Sequence, residues 1–371
     1  MSLKCSDIIN ILEELAPLYI AEDWDNPGLI IGNRNKTVEN ILIALDATNA
    51  VVDEAISKDV DLIITHHPLI FGAIKKVNSD SSLGNVIMKL IKNDIAVYSA
   101  HTNLDIAKGG TNDALAELLT LKNVRMLKET GRGEYYKVAV YTPRGFEEKM
   151  VSAICQAGAG HIGRYSDCTF RSEGNGTFKA GEDTNPFIGE KGSFETVLEY
   201  KIESVVKKES LQDVIKAMLD VHPYEEPAYD IYKLKGVGEA YGIGRIGELE
   251  SELSFGDFAL NVKKRLGLDA LKLTGSLDKR VNTVALCTGS GFEYYDEAVS
   301  LGADVYITAD VRYHDAQKAV EKGVPVIDAT HYASENIIVP VLCKHIKSKA
   351  GKIGEVSVFA SCENGQTFKY I

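Results

Sequence analysis

Three short stretches carry side chains that could bind a cation: Thr65-His66-His67-Pro68, His101-Thr102-Asn103-Leu104-Asp105 and His331-Tyr332-Ala333-Ser334-Glu335. Neutral imidazole is the commonest metal ligand, and an imidazole with nothing bound to it is costly to bury. An arbitrary His pair more often divides into one core and one surface residue. Placement sets these apart, because each stretch follows an apolar run that reads as a buried strand. The C-terminal edge of such strands is where open α/β sheets put their sites. In an extended segment His66 and His67 point to opposite sides, which is awkward for one ion and easy for two. A carboxylate four residues after a His returns to the same face where the segment turns helical, and a carboxylate can bridge two cations. The candidates are His66, His67, His101, Asp105, His331 and Glu335. Mixed imidazole and carboxylate donors suit zinc, iron, manganese, cobalt or nickel, and disfavour calcium, whose ligands are oxygens. Two such ions about 3.5–4 Å apart supply a nucleophile at neutral pH and stabilise both the attacking and the leaving oxygens.

The elements that must position these groups follow from periodicity. Asp7–Leu15 reads as an amphipathic helix, followed by the turn-rich loop Trp24-Asp25-Asn26-Pro27-Gly28-Leu29. A strand over Ile41–Leu45, a helix over Ala50–Lys58 and a strand over Asp61–Thr65 form a βαβ unit, which implies a parallel pair with a right-handed crossover. A helix at Leu83–Lys92 and a strand at Ile95–Ser99 extend it, and Thr111 is a plausible N-cap for the next helix. Near Gly131 the pattern changes to β-α-β-β-α-β over about 100 residues, the ferredoxin-like order. Beyond Gly236 a glycine-rich stretch leads to a helix capped by Ser254. Strands at Val284–Thr288, Asp304–Thr308 and Pro325–Asp328 alternate with helices, and a last helix spans Glu335–Lys347, kinked or started by Pro340. Asp53-Glu54-Ala55-Ile56-Ser57 before Asp61–Thr65 lines up with Asp296-Glu297-Ala298-Val299-Ser300 before Asp304–Thr308. The chain therefore reads as α/β, with two pseudo-repeated α/β halves (1–130 and 235–371) forming one core domain with a metal cleft. A ferredoxin-like α+β domain (131–234) is inserted between them. On this reading Asp105 belongs to one half and His331 with Glu335 to the other, so a shared cleft would unite them.

Composition sets bounds. The 371 residues suffice for two or three domains, and a net charge of -12 argues against bulk binding to nucleic acid or to an anionic membrane. No apolar run approaches the roughly 18 residues of a membrane span. The N-terminus lacks signal-peptide architecture. Six scattered cysteines without a Cys-x-x-Cys pair suit free thiols in a reducing cytoplasm.

Together, Trp24-Asp25-Asn26-x-Gly28-Leu29, Thr65-His66-His67-Pro68, His101-Thr102-Asn103-Leu104-Asp105, Thr308-Ala309-Asp310 and His331-Tyr332-x-Ser334-Glu335 resemble the Nif-three-like family. Its bacterial members are labelled GTP cyclohydrolase I type 2 homologues. Gly158-Ala159-Gly160-His161-Ile162-Gly163 and His222-Pro223-Tyr224-Glu225-Glu226-Pro227 resemble the insert of its longer bacterial members, itself similar to CutA and PII-type trimeric domains. The resemblance implies two divalent transition-metal ions per chain and a toroidal homohexamer. It implies that His66 and His331 ligate one ion, that His67 and Asp105 ligate the other, and that Glu335 bridges them. His101 would then be a proton-transfer or supporting group, and His101 and Glu335 become the candidate catalytic residues. The activity implied is metal-dependent hydrolysis of a small-molecule or nucleotide substrate such as GTP. The alternative is a non-enzymatic metal-binding or regulatory hexamer whose PII-like insert binds partners or small ligands.

Other motifs read as structural. Gly158-x-Gly160-x-x-Gly163 and Gly242-x-Gly244-x-x-Gly247 match the dinucleotide fingerprint, but neither has a strand before it and a helix at its third glycine. Gly289-Ser290-Gly291 has the better context for cradling an anion, but a plain tight turn explains it better. His314 would start a helix beside the same cleft, His161 and His222 are read as structural in the insert, and His345 as solvated on the last helix.

Overall fold

The computed structural model describes residues 2–369, which divide into two compact units. Residues up to Gly131 together with those from Tyr241 form one unit, and Arg132–Ala240 form the other.

In the first unit, strands Asn40–Ala44, Leu62–Thr65 and Ala96–Ser99 pair in parallel at the centre of a five-stranded sheet. Gly28–Ile31 joins one edge antiparallel, and Ser357–Ala360 joins the other in parallel. Burial on both faces explains the unbroken apolar runs. Ile41, Ile43, Leu62, Ile64, Ala96 and Tyr98 face one apolar cluster, while Leu42, Ala44, Ile63 and Val97 face another. Truncating one of these Ile or Leu side chains to alanine costs about 2–5 kcal/mol. The crossover helices Asn49–Ser57 and Ser82–Lys92 start at Thr48 and Ser81, whose hydroxyls accept from the amides of Val51 and Gly84.

A six-stranded sheet in the same unit repeats this plan. Arg280–Leu286, Val305–Thr308 and Val326–Asp328 pair in parallel, with Lys272–Leu273 antiparallel on the last of them. Its other side is Ala240–Ser254 and then Lys122–Arg132. The helix Phe255–Arg265 begins at Ser254, as its sequence signature indicates. Ala285, Tyr306 and Val326 join the cluster that also holds Ile41 and Ile64, so one apolar core serves both sheets.

Several elements differ from their sequence reading. Lys122–Arg132 is a strand too polar to show alternation, because it forms a sheet edge. The glycine-rich stretch is the long strand Ala240–Ser254, and a Cβ at Gly242 would stand 1.9 Å from the Lys128 carbonyl oxygen. Close strand approach therefore accounts for that glycine. The final helix is two helices, His331–Glu335 and Ile338–Ala350, with Pro340 in the first turn of the second, where a missing N–H costs nothing. Thr111 is the first helical residue and not the cap, which is Gly110.

In the second unit, Tyr135–Pro143, Thr169–Lys179, Phe194–Lys207 and Tyr229–Leu234 form an antiparallel sheet. Tyr229–Leu234 and Phe194–Lys207 flank Tyr135–Pro143, and Thr169–Lys179 lies outside Phe194–Lys207. Helices Glu147–Gln156 and Leu211–Val221 supply Met150, Ile154, Val214 and Met218 to its core. All six cysteines are free thiols. No helix among the described residues is long and apolar enough to cross a membrane.

Candidate metal centre

The strand Leu62–Thr65 ends before the two histidines, so strand alternation does not govern them. The His67 amide donates to the Leu45 carbonyl, and His66 Nδ1 donates to the Ala100 carbonyl at 2.8 Å. Both rings consequently reach the same carboxylate instead of diverging. His66 Nε2 lies 3.9 Å from Glu335 Oε1, and His67 Nε2 lies 2.9 Å from Glu335 Oε2. Glu335 shares a helical face with His331, whose Nε2 is 3.1 Å from the same Oε2 and 3.3 Å from His67 Nε2. Asp105 stands 3.5 Å from His66 Nε2 and receives a hydrogen bond from the Thr111 hydroxyl.

The five candidate ligands lie in one cluster. The distances group His67 and His331 on Glu335 Oε2, and His66 and Asp105 on the side of Glu335 Oε1. Asp105 does not pair with His101, the residue four before it. Instead His101 places a ring nitrogen within 4.8 Å of ring nitrogens of His66 and His67.

Each imidazole is oriented through its other nitrogen. Asp46 holds His67 Nδ1 at 2.8 Å, Asp310 holds His331 Nδ1 at 2.7 Å, and Asp25 holds His101 Nδ1 at 2.8 Å. Such a partner fixes the tautomer and turns Nε2 toward a metal. Asp25 also accepts from the amide and hydroxyl of Thr102, and these bonds outweigh burial to bring its pKa down to about 2. Asp46 escaped the sequence reading, although it follows strand Asn40–Ala44 at the same sheet edge as the His pair. In the sequence Asp25 reads as part of a loop edging the cleft and Asp310 only as part of a motif, and neither spacing reveals a His partner.

Proton occupancy in the cleft follows from these contacts. Burial opposes charge on His67, yet bonds to Asp46 and Glu335 push its pKa up to about 10. The bond to Glu335 leads in pushing His331 up to about 9. Burial penalises the charge on Glu335, but bonds from His331 and His67 hold its carboxyl well below the usual range. Two protons thus stand where cations could. Burial lowers the His66 pKa, so its ring stays neutral with the proton on Nδ1 and a bare Nε2. That nitrogen is fully buried and without a hydrogen-bond partner. Burial also raises the Asp105 pKa, opposed by His66 and by the hydrogen bond from the Thr111 hydroxyl. The donor set fits divalent transition metals.

The surrounding loops are shaped for this cluster. A Cβ at Gly289 would stand 2.1 Å from Glu335 Oε1, so the Gly289-Ser290-Gly291 turn makes room for a carboxylate and is not free to cradle an anion there. Thr330 and Asp310 hold positive φ values of 62° and 56°. A β-branched residue in that region costs of order 1–3 kcal/mol and persists only where its surroundings impose it. Buried Asp328 accepts from the amides of Thr330 and Val311, tying both loops to the strand end. Exposed Trp24 and Phe71 each place a ring edge-on to His101, at 5.9 and 5.6 Å. Asn26 donates to the Ile70 carbonyl and joins their loops. On the other side, a cavity of about 440 Å³ is lined by His67, His331, Tyr332, Lys272 and Phe368. His314 lies outside the cluster, with Nδ1 on Gln317. His222 is buried within the second unit, and His345 is partly buried, not solvated.

The model of the Duf34/NIF3 (NGG1p interacting factor 3) family matches residues 3–366. The chain belongs to this family. A Bacillus subtilis member, named GTP cyclohydrolase 1 type 2 homolog, is 42% identical over 372 residues, covering 100% of this chain and 99% of its own. A Staphylococcus epidermidis relative of the same name is 37% identical over 369 residues, 99% of this chain and 100% of its own. Among solved structures, a Bacillus cereus protein related to NIF3 has a TM-score of 0.85 at 42% identity, covering 100% of both chains. A Staphylococcus aureus protein has a TM-score of 0.78 at 32% identity, covering 100% of this chain and 99% of its own.

Proposed function

We propose that this cleft binds two divalent transition-metal ions per chain and works as a metal-dependent hydrolase on a small-molecule or nucleotide substrate. The observation that carries the reading is the bare, fully buried Nε2 of His66, which faces carboxylates from both halves of the core unit. His67, His331 and Glu335 Oε2 would hold one ion; His66, Asp105 and Glu335 Oε1 would hold the other. When bound, such a pair supplies Lewis acidity and a nucleophile at neutral pH. The chain's own residues do the rest. Asp46 and Asp310 fix the ring planes of His67 and His331. His101, braced by Asp25, offers its free nitrogen to take a proton from the nucleophile or return it to the leaving group. Trp24 and Phe71 border the cleft and suit a planar ring. The relatives' name points to GTP and to ring opening.

Elemental analysis of the purified protein should find two metal equivalents per chain, and metal-loaded protein should turn over GTP. His67→Ala and Glu335→Ala should abolish turnover. Metal-free protein that was never exposed to chelator, or activity that survives both substitutions, would refute the reading. A ring-shaped homohexamer in a reducing cytoplasm belongs to the same proposal, and light scattering tests the assembly.

A second reading is a non-enzymatic metal-binding or regulatory scaffold whose ferredoxin-like, PII/CutA-like inserted unit binds partners or small ligands. A cavity within Arg132–Ala240 favours it. Tight metal binding with no turnover across nucleotides, esters and peptides would support it, as would loss of a partner when that unit is removed.

A further inference from the structure

We propose that the cavity inside the Arg132–Ala240 unit is a binding site for a small organic cation with an aromatic or apolar body. The cavity measures about 430 Å³, within the range of small-molecule sites. Four rings from separate segments line it: Tyr141 from the strand Tyr135–Pro143, Phe178 from the strand Thr169–Lys179, Phe187 from the following loop, and Tyr224 from the turn after the helix Leu211–Val221. The Tyr224 ring centroid lies 6.4 Å from that of Phe178 and 6.3 Å from that of Phe187. Ring faces carry negative quadrupole potential and attract ammonium groups. Glu199, Glu225 and Glu226 line the same cavity, and Lys179 is the one cationic side chain among its described lining residues. The balance repels phosphates and carboxylates and favours an amine.

The site is built before any ligand arrives. His222 is buried, and burial lowers its pKa, so its ring is neutral. Its Nε2 donates to the Tyr141 carbonyl at 2.9 Å, and its Nδ1 accepts the Tyr224 amide at 3.1 Å, which fixes the turn that carries Tyr224. The Asn185 amide donates to Glu225 Oε2 at 2.9 Å and ties the Phe187 loop to that turn. Phe146 packs edge-on against Phe187 with centroids 5.6 Å apart. A Cβ at Gly176 would stand 2.0 Å from Glu199 Oε2, so glycine there leaves the space that the carboxylate occupies. Aromatic walls, acidic charge and pre-ordered loops together describe an amine receptor. The proposal supplies a ligand class for the scaffold reading but does not depend on it, because partner loss on removing the unit is a separate measurement.

Calorimetric titration of the full-length protein with tryptamine and with indole-3-propionate, which share a ring and differ in charge, tests it. The amine should bind at least tenfold more tightly than the carboxylate. Glu199→Gln keeps the shape and removes the charge, while Phe187→Ala removes a half-exposed ring. Each should weaken amine binding by roughly threefold to tenfold. Equal binding of the two probes, no saturable binding of the amine at millimolar concentration, or binding unchanged in both variants would overturn the proposal.

Discussion

Gly289→Ala is the most incisive perturbation of the metal centre, because it touches no ligand and yet must move one. The new Cβ would lie 2.1 Å from Glu335 Oε1 and 3.6 Å from His331 Cε1. Ordinary carbon–oxygen contact needs about 3.5 Å, so the carboxylate would have to retreat by more than an ångström. The backbone cannot yield easily. Gly289 donates its amide to Ser334 Oγ at 3.1 Å, and its carbonyl accepts from the Ala309 amide and the Thr308 hydroxyl. Its φ of +63° adds a left-handed penalty of about 1–2 kcal/mol for any residue with a Cβ. Gly302→Ala separates the two costs, since Gly302 has a φ of +81° and nothing within 4 Å of its Cβ position. Gly302→Ala should lose about 1–2 kcal/mol of stability in chemical denaturation, and Gly289→Ala at least as much. In competition with a chromophoric chelator for Zn²⁺ or Co²⁺, Gly289→Ala alone should also lose affinity, by about tenfold to a hundredfold, the scale for disturbing even an indirect support of a metal ligand. Equal affinities for the two variants would show that the position of Glu335 Oε1 is not needed, and would refute the assignment of that oxygen to the second ion.

Metal uptake should compete with protons. In the metal-free chain His67, with its pKa pushed up to about 10, and His331, up to about 9, both hold protons at neutral pH. Loading should then release close to two protons per chain, and affinity should climb with pH up to about 9–10. Titration calorimetry in buffers of different ionisation enthalpy measures this, and an affinity independent of pH would contradict it. The same raised values stabilise the metal-free fold fully below the ordinary imidazole value of 6.5, and that contribution is lost as pH rises through 9 to 10. Asp310→Asn should lower metal affinity about tenfold to a hundredfold and change stability by less than about 0.5 kcal/mol, because Asp310 is exposed and acts by orienting His331. Arg245→Met should cost about 3–5 kcal/mol in urea denaturation. Arg245 is 4% exposed and donates to both oxygens of Asp113 and to the carbonyls of Gly242, Gly244 and Ala107. A loss under about 1 kcal/mol would mean that water replaces those contacts.

The parts of the site that repeat locally are legible in the sequence, and the parts that depend on one half meeting the other are not. Apolar runs such as Leu62–Thr65 and Val305–Thr308 announce buried parallel strands, and the His-x-x-x-carboxylate spacing announces the short helix that returns Glu335 to the face of His331. The divergence expected of His66 and His67 rested on strand geometry that stops at Thr65. Where each Nε2 ends up is decided by the Ala100 carbonyl and by Asp46, which lie 34 and 21 residues from their partners. Polar strands such as Lys122–Arg132 carry no alternation because a sheet edge demands none.

The role of Gly289 is hidden for the same reason. A glycine in a turn after a strand has several explanations, and only the three-dimensional approach of Glu335 selects among them. The presence of two sheets in the core unit gives this a physical logic. Each half brings an incomplete donor set to the edge of its own sheet, and Glu335 meets donors of both halves with its two oxygens. A single carboxylate, buried to 3% exposure and held ionised by His67 and His331, is therefore the point at which neither half can be altered alone.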